Sequence, residues 1–239
     1  MDANQGSPGQ ASAVLVSGGL DSAVLLVEET ARGDVQPVYV STGLAWEKAE
    51  RTALTLFLEH LPGGTRVRPL VSLTLDMRDV YGPAHWSVQG APPAYHTADE
   101  EVYLPGRNIV LLGKAGVFCA TAGIERLVMG SLAHNPFPDA TPAFRSAMGI
   151  ALSEGLGARL DVDAPYADVS KAEVIRRGAN LGVPFELTLS CMSPVGVDIE
   201  TGMPLHCGTC SKCRERHDGF VESGVSDPTR YVDTRFVHA

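Results

Sequence analysis

The stretch AVLVSGGLDSAVLL, residues 13–26, decides the fold. It begins with four apolar residues, as in a strand buried on both faces, and it ends in the apolar pattern of a helix that packs on a sheet. Between them lie residues 17–22, which include adjacent glycines and small polar side chains. Such a turn lets a ligand approach the backbone, and the helix start behind it presents unpaired N–H groups and a positive dipole. The stretch therefore predicts a phosphate site.

Individual residues of this turn suit a nucleotide. Ser17 and Ser22 can donate hydroxyl hydrogen bonds, and Asp21 can either cap the helix or help to hold Mg²⁺ beside the phosphates. The turn has neither the Gly-Lys-Ser/Thr of a Walker loop nor the Gly-x-Gly-x-x-Gly of a dinucleotide loop. Ser-Gly-Gly-Leu-Asp-Ser resembles the PP-loop of the N-type ATP pyrophosphatases, which split ATP into AMP and pyrophosphate. This resemblance implies catalytic roles for Ser17, Asp21 and Ser22, and ATP binding by Val16, Ser17, Gly18, Gly19, Leu20, Asp21 and Ser22.

Outward from this stretch, compact apolar runs alternate with amphipathic ones along the 239-residue chain. The pattern predicts an α/β fold in which helices cover both faces of a parallel twisted sheet, as in Rossmann-like proteins. The interval 74–103 is too broken for regular elements, which indicates a lid or a disordered insertion. Predicted strands are residues 12–16, 36–41, 67–73, 126–131 and 159–162, and predicted helices are residues 21–32, 47–60, 108–122, 142–156 and 170–181.

Changes in composition divide the chain. We expect a disordered leader at 1–11, a nucleotide-binding domain at 12–189 and a small metal-binding subdomain at 190–239. The formal net charge of −9 argues against a nucleic-acid partner, because such binding depends on Lys and Arg. No window approaches the ~18 apolar residues of a membrane span, and the N-terminus lacks a signal-peptide pattern. We therefore expect a cytoplasmic protein that acts on a small molecule, with neither nucleic acid nor membrane as a partner.

Four of the five cysteines gather near the C-terminus, whereas Cys119 lies alone in an apolar segment and is interpreted as a core residue. Four thiolates suit Zn²⁺ in a closed structural site, which would fold a segment too small for a core of its own. An iron–sulfur cluster accepts the same ligands, so both groups stay open. The predicted metal ligands are Cys191, Cys207, Cys210 and Cys213.

Four further strings follow the PP-loop string: YLPGRN at 103–108, FPD at 137–139, SKAE at 170–173 and LGVP at 181–184. In this order, and together with the four cysteines, they closely resemble the QueC family, the 7-cyano-7-deazaguanine synthases of queuosine precursor biosynthesis. The resemblance covers about residues 12–232. Each string alone is modest evidence, but their combination is highly specific.

The resemblance implies an ATP-dependent carbon–nitrogen ligase. Members of the family adenylate the carboxylate of 7-carboxy-7-deazaguanine, and ammonia then displaces AMP to give the amide. A second adenylation, on the amide oxygen, leaves the nitrile. The implied cofactors are ATP, Mg²⁺ and a structural Zn²⁺, and the implied assembly is a homodimer.

The resemblance also implies roles for single residues outside the PP-loop. Lys171 would be a second phosphate contact and a catalytic residue, and Arg107 would pair with a phosphate or a carboxylate. Asn108 is expected to cap the helix that follows it. Asp139 would meet the guanine-like edge of the substrate, or would simply cap a helix. The expected substrate-binding set is Arg107, Asn108, Phe137 and Asp139.

Several positions depart from the family pattern. The Tyr-Ser-Gly expected after the fourth strand is absent from residues 131–144, and the Asp-Tyr-Gly-Gln expected after the second strand is Ser-Thr-Gly-Leu at 41–44. The ATP-handling residues are retained while the substrate pocket differs, so a different heteroaromatic acid or a different amine stays open. A PP-loop tRNA thiolase, which the acidic charge disfavours, and a nucleotide-binding module without catalysis also stay open.

Overall fold

Five parallel strands form one sheet in the order β3-β2-β1-β4-β5. The computed structural model describes residues 11–133 and 135–236, so the predicted leader lies outside it except for residue 11. The central strand alternates sides as a period of two requires, with Val14 packed into one core and Ala13 into the other. The strands are β1 Ser12–Leu15, β2 Val35–Ser41, β3 Val71–Thr74, β4 Arg126–Val128 and β5 Asp161–Asp163.

Helices cover both faces of this sheet, which confirms the predicted fold class. One face carries α1, α2, α7 and α8 over the larger core, and the other carries α5 and α6. None of the helices in the described part of the chain is both long and apolar enough to span a bilayer. The helices are α1 Leu20–Glu29, α2 Glu47–Glu59, α3 Arg78–Tyr81, α4 Trp86–Gln89, α5 Arg107–Ala122, α6 Pro142–Leu156, α7 Lys171–Asn180 and α8 Ser211–Ser223.

The interval 74–103 contains regular structure, so the prediction of none was wrong. It holds α3, α4 and a 3-10 turn at Asp99–Val102. These turns are too short to show a hydrophobic period, yet they bury a third cluster that includes Trp46, Val102 and Leu104. The interval thereby packs over the carboxyl end of the sheet.

The C-terminal segment packs directly on the part of the chain that contains the sheet. Helix α8 lies against α7, and Cys191, Met203 and Phe220 belong to the same core cluster as the residues of α1. The sequence did not suggest α8, because cysteines and charged residues interrupt the helical spacing of its apolar side chains. The domain boundary at 189/190 stays a prediction.

Candidate active site

The site lies beside β1, where the order in which strands are added to the sheet reverses. From β1 the chain moves outward through β2 and β3 on one side, and then through β4 and β5 on the other. In open parallel sheets this arrangement leaves a crevice at the carboxyl ends of the two central strands. The PP-loop, residues 17–22, follows β1, and Gly130 and Ser131 follow β4, so both loops border the crevice.

Gly18 gives the PP-loop its shape. Its φ of 75° lies in the left-handed region, and a Cβ at this position would lie 2.7 Å from the carbonyl oxygen of Glu50 in α2. Its own carbonyl accepts a hydrogen bond from Leu189 N at 2.8 Å. Of the two glycines, Gly19 lines the cavity, whereas Gly18 fits the loop against α2.

The two serines of the loop bond to the loop itself. Ser22 Oγ donates to the carbonyl oxygen of Gly19 at 3.0 Å and accepts from Ser17 N at 3.2 Å, and Ser17 Oγ accepts from Gly19 N at 3.3 Å. The hydroxyls therefore hold the turn while facing the cavity. Asp21 does not cap α1, since the residue at the cap position is Gly19 and no side chain bonds there. Of the two roles that the sequence left open for Asp21, capping of α1 is therefore not the one observed.

Asp21 is paired with Lys171 instead. Lys171 Nζ lies 2.7 Å from Asp21 Oδ2 and 2.9 Å from Glu215 Oε1 of α8. Burial opposes the charged form of Lys171, but the two carboxylates outweigh it and raise the pKa of its ammonium above the usual value. The predicted phosphate contact is thus a charged group held between two acidic side chains at the edge of the PP-loop.

The other carboxylate oxygen of Asp21 fits the predicted Mg²⁺. Asp21 Oδ1 is buried and has no hydrogen-bond partner within the described residues. A buried acceptor without a donor costs free energy unless a ligand supplies the missing contact. Carboxylate oxygens are ligands that Mg²⁺ prefers, usually together with substrate phosphates.

Two adjoining cavities extend from the loop. The first, of about 280 Å³, includes Val16 and all four predicted substrate residues, and the second, of about 260 Å³, includes Leu20 and Lys171. The structure therefore brings every predicted site residue of the nucleotide and substrate sets to one place except Gly18. Both cavities are lined by Ser17, Gly19, Asp21, Glu50 and Arg107.

Asn108 and Asp139 are bonded to each other. Asn108 N donates to Asp139 Oδ2 at 3.0 Å, and Asn108 Nδ2 donates to the carbonyl oxygen of Asp139 at 3.1 Å. Asp139 thus supplies the acceptor at the start of α5, and the prediction that Asn108 caps this helix was wrong. The following helix, α6, is capped by Thr141, whose Oγ1 accepts from Phe144 N at 3.2 Å.

Two pairs of stacked aromatic side chains lie at or near the two cavities. Phe137 stacks on Tyr103 with ring centroids 5.1 Å apart, and Trp86 stacks on Trp46 at 5.8 Å. Both Phe137 and Tyr103 line the first cavity. Phe137 therefore presents its ring to the predicted substrate region, whereas Trp86 lines neither of the two cavities.

Sequence reasoning missed Glu50. This side chain is buried on α2, where Oε2 accepts from Tyr39 Oη at 3.0 Å and Oε1 accepts from Trp46 Nε1 at 3.0 Å. Burial raises the pKa of its carboxyl group to about 7. The sequence did contain a signal that Glu50 is buried. It precedes Ala53, Leu54 and Phe57 by three, four and seven residues, which places it on the apolar face of the predicted helix.

The four cysteines converge on one point. Their sulfur atoms all lie within 4.8 Å of one another, with Cys207–Cys213 at 3.8 Å and Cys210–Cys213 at 3.5 Å. A tetrahedral zinc with bonds of about 2.3 Å requires sulfur atoms about 3.8 Å apart, so the buried thiols fit Zn²⁺. Backbone N–H groups of Cys207 and Thr209 also point at sulfur atoms, as thiolate ligands require. The metal site is supported, and the choice of zinc over iron–sulfur stays a prediction.

Residues 230–233 lie against this cysteine loop. Gly208 has a φ of 80°, and a Cβ there would overlap the carbonyl oxygen of Asp233. Asp233 N donates to the carbonyl oxygen of Cys207 at 3.1 Å, and Val232 N donates to that of His206 at 2.8 Å. The glycine therefore allows Val232 and Asp233 to pack against the backbone of the cysteine loop.

Comparison with known proteins agrees with this arrangement. A family model described as queuosine biosynthesis protein QueC matches residues 11–224. A 7-cyano-7-deazaguanine synthase of Methanopyrus kandleri is 33% identical over 232 residues, covering 92% of this chain and 98% of that protein. The synthase of Paramagnetospirillum magneticum is 30% identical over 234 residues, covering 92% and 97%. The synthase of Cupriavidus necator is 33% identical over 233 residues, covering 91% and 96%. With the PP-loop, the adjoining cavities and the four-cysteine cluster in place, the chain belongs to the QueC family.

Proposed function

We propose that this chain is an ATP-dependent carbon–nitrogen ligase of the EC 6.3.4 type that makes 7-cyano-7-deazaguanine from 7-carboxy-7-deazaguanine and ammonia. The observation that carries the proposal is the shared wall of the two cavities. The predicted phosphate-binding residues and the predicted acid-binding residues meet there, which is where an acid must lie to be adenylated. The names of the related proteins support the same reaction.

The charge of each site residue indicates which group it would bind. The PP-loop and Lys171 would bind the pyrophosphate portion of ATP, because backbone N–H groups and an ammonium complement a polyanion. Mg²⁺ would be held by Asp21 and would neutralise phosphate charge. Arg107 has a buried Nε without a partner among the described residues, so it has a donor free for a carboxylate or a phosphate at the shared wall.

The chemistry explains why ATP is consumed twice. A carboxylate is a poor electrophile, so its oxygen must first become part of an AMP leaving group. Ammonia then gives the amide, and a second adenylation on the amide oxygen allows AMP to leave and the nitrile to form. Asn108, Phe137 and Asp139 would orient the heteroaromatic ring beside Arg107.

The test is incubation with ATP, Mg²⁺, ammonia and 7-carboxy-7-deazaguanine, followed by mass spectrometry. We expect the nitrile, with AMP and pyrophosphate. Asp21→Ala should reduce turnover at least about 100-fold, because it removes the carboxylate that would hold Mg²⁺ beside the phosphates and that positions Lys171. Glu59→Ala, an exposed change at the end of α2, is the matched control and should retain activity. No AMP and no nitrile with any nitrogen donor would contradict the proposal.

A second candidate is a ligase that activates another heteroaromatic acid or uses another amine. It is favoured by Asp139, whose carboxylate already accepts bonds from Asn108 and is thereby less available for a guanine-like edge. AMP release that depends on a different acid, with no release for the deazaguanine acid, would support this candidate against the first.

We also propose that the chain forms a homodimer. Helices α5 and α6 lie side by side and expose the large apolar side chains of Ile109, Val117 and Ile150. Exposed apolar side chains on neighbouring helices are typical of a contact surface. A second copy of the chain would cover them.

A further inference from the structure

Glu50 lies on the wall that the two cavities share. The first cavity contains Asn108 and Phe137, and the second contains Lys171. Under the proposed function, the acid occupies the first cavity and the outer phosphates occupy the second. A side chain on the wall between them is therefore beside the carbon that is activated and then attacked.

The position of Glu50 is fixed from three directions. Tyr39 Oη and Trp46 Nε1 each donate to a different carboxylate oxygen, and the backbone carbonyl of Glu50 lies against Gly18 of the PP-loop. The side chain is buried, and the residue is only 7% exposed. Glu50 therefore cannot move away from the site without disturbing the loop.

The hydrogen-bond donors to the Glu50 carboxylate, Tyr39 and Trp46, are both neutral. A buried charged carboxylate is normally paired with a cation. Within the described residues, no Lys or Arg lies at ion-pair distance from Glu50, although Arg107 is close enough to lower its pKa. Glu47, on the same helix, is bonded to Thr42 N at 2.7 Å and lines neither cavity. An uncompensated buried carboxylate is costly, and such groups concentrate at functional sites.

The surroundings of Glu50 suit proton exchange near neutral pH. Burial is the main cause of its raised pKa of about 7, and Glu47 adds to it. Arg107 and the hydrogen bonds from Tyr39 and Trp46 act in the opposite direction. A group that holds and releases a proton around neutral pH is what general base catalysis requires.

We propose that Glu50 is the general base that accepts a proton from the nitrogen nucleophile when it attacks the adenylated acid. The inference rests on the proposed function but does not depend on which amine is used. The nitrogen lone pair forms the C–N bond, and the C–O bond to AMP breaks with its electron pair leaving on AMP. The N–H proton moves to Glu50 Oε and from there to water. No electron transfer is involved.

The test separates adenylation from attack by nitrogen. Acid-dependent exchange of labelled pyrophosphate into ATP reports adenylation, and mass spectrometry of amide plus nitrile reports the complete reaction. Glu50→Gln keeps the shape, because its amide oxygen can accept from Trp46 and its amide nitrogen can donate to Tyr39 Oη. We expect exchange within about threefold of wild type and product formation at least about 100-fold slower. Glu47→Gln is the matched control and should change neither rate appreciably.

The pH profile of the wild-type enzyme gives a second measurement that needs no variant. The rate of product formation, expressed per unprotonated ammonia, should rise with pH through about 7 as Glu50 loses its proton. Absence of this rise would overturn the inference, as would an equal loss of exchange and product formation in Glu50→Gln. A wild-type enzyme that performs neither reaction would contradict the proposed function first, and this inference with it.

Discussion

At the scale of single residues, the adjacent glycines of the PP-loop, Gly18 and Gly19, have different structural roles. Gly19 lines the cavity, whereas Gly18 adopts a left-handed conformation and touches the carbonyl group of Glu50. We predict that Gly18→Ala costs about 2–4 kcal/mol of folding free energy, from backbone strain and overpacking together. Urea denaturation measures this loss. Gly63→Ala, where a Cβ meets nothing within 4 Å, should stay within about 1 kcal/mol of wild type, and equal effects would contradict the explanation.

Glu50 should also make stability depend on pH. Its folded pKa of about 7 lies above the unfolded value of 4.5, so the folded state holds the proton more tightly. The contribution of this proton to the free energy of unfolding is fully present below about pH 4.5, and it is lost as the pH rises through 7. Glu50→Gln carries no such proton, so its melting temperature relative to wild type should increase between pH 5 and pH 8. Calorimetry at both pH values checks this, and a constant difference would refute the cause.

At the scale of secondary-structure elements, α7 approaches α1 at Gly178. A Cβ there would lie 2.6 Å from both Val24 Cγ2 and Phe185 Cζ. We predict that Gly178→Ala destabilises the protein by about 1–3 kcal/mol, since a tightly packed contact must open. Gly155→Ala, at an open position of α6, should instead stabilise by about 0.5 kcal/mol. The same sign for both changes in urea denaturation would contradict this packing.

The cysteine loop and α8 form the second element-scale prediction. Cys191, Cys207 and Cys213 belong to the core that also contains α1 and α7, so loss of the metal should weaken the whole chain. We expect Cys210→Ser to lose the metal, measured by emission spectrometry, and to lower the single melting temperature. Cys119→Ala, in the other core, is the control and should keep its metal. Zinc rather than iron is the expected element, and full metal content in Cys210→Ser would contradict the assignment.

Local patterns explain which elements could be predicted. The strand, turn and helix of residues 12–29 follow from side-chain periodicity and from the glycine pair, which act over a few residues. The capping partner of Asn108 could not be found in this way, because Asp139 lies 31 residues further along the chain. The pairing of Lys171 with Asp21 spans 150 residues. Such contacts depend on strand order, which local sequence does not encode.

At the scale of the whole molecule, the strand order assembles the site. Four separate parts of the chain supply the site residues Ser17, Arg107, Asp139 and Lys171. The reversal of strand order beside β1 brings these parts to one end of the sheet. The second cavity does not share the acidic balance of the whole chain, because Arg107, Lys171 and Lys212 there offset the carboxylates of Asp21, Glu50 and Glu215.

The surface of α5 and α6 gives the whole-molecule prediction. Ile150 is 63% exposed, and we expect Ile150→Glu to shift the protein from dimer to monomer in sedimentation velocity, because a buried charge would be unpaired. Ile199→Glu is the matched control, since Ile199 is 98% exposed on a loop outside these helices. A monomeric wild-type protein would contradict the proposed assembly, as would equal dissociation by the control change.

Residues 230–233, which lie along the cysteine loop, bear on the exchange of a metal bound by the four thiols. These residues bond to His206 and Cys207, so we expect a metal at the four cysteines to reach solution more readily when this segment opens. With the segment in place, exchange with free ions in solution would be limited by how often it opens. Retention of the ion would then depend on the kinetics of this segment as well as on the affinity of the thiolates.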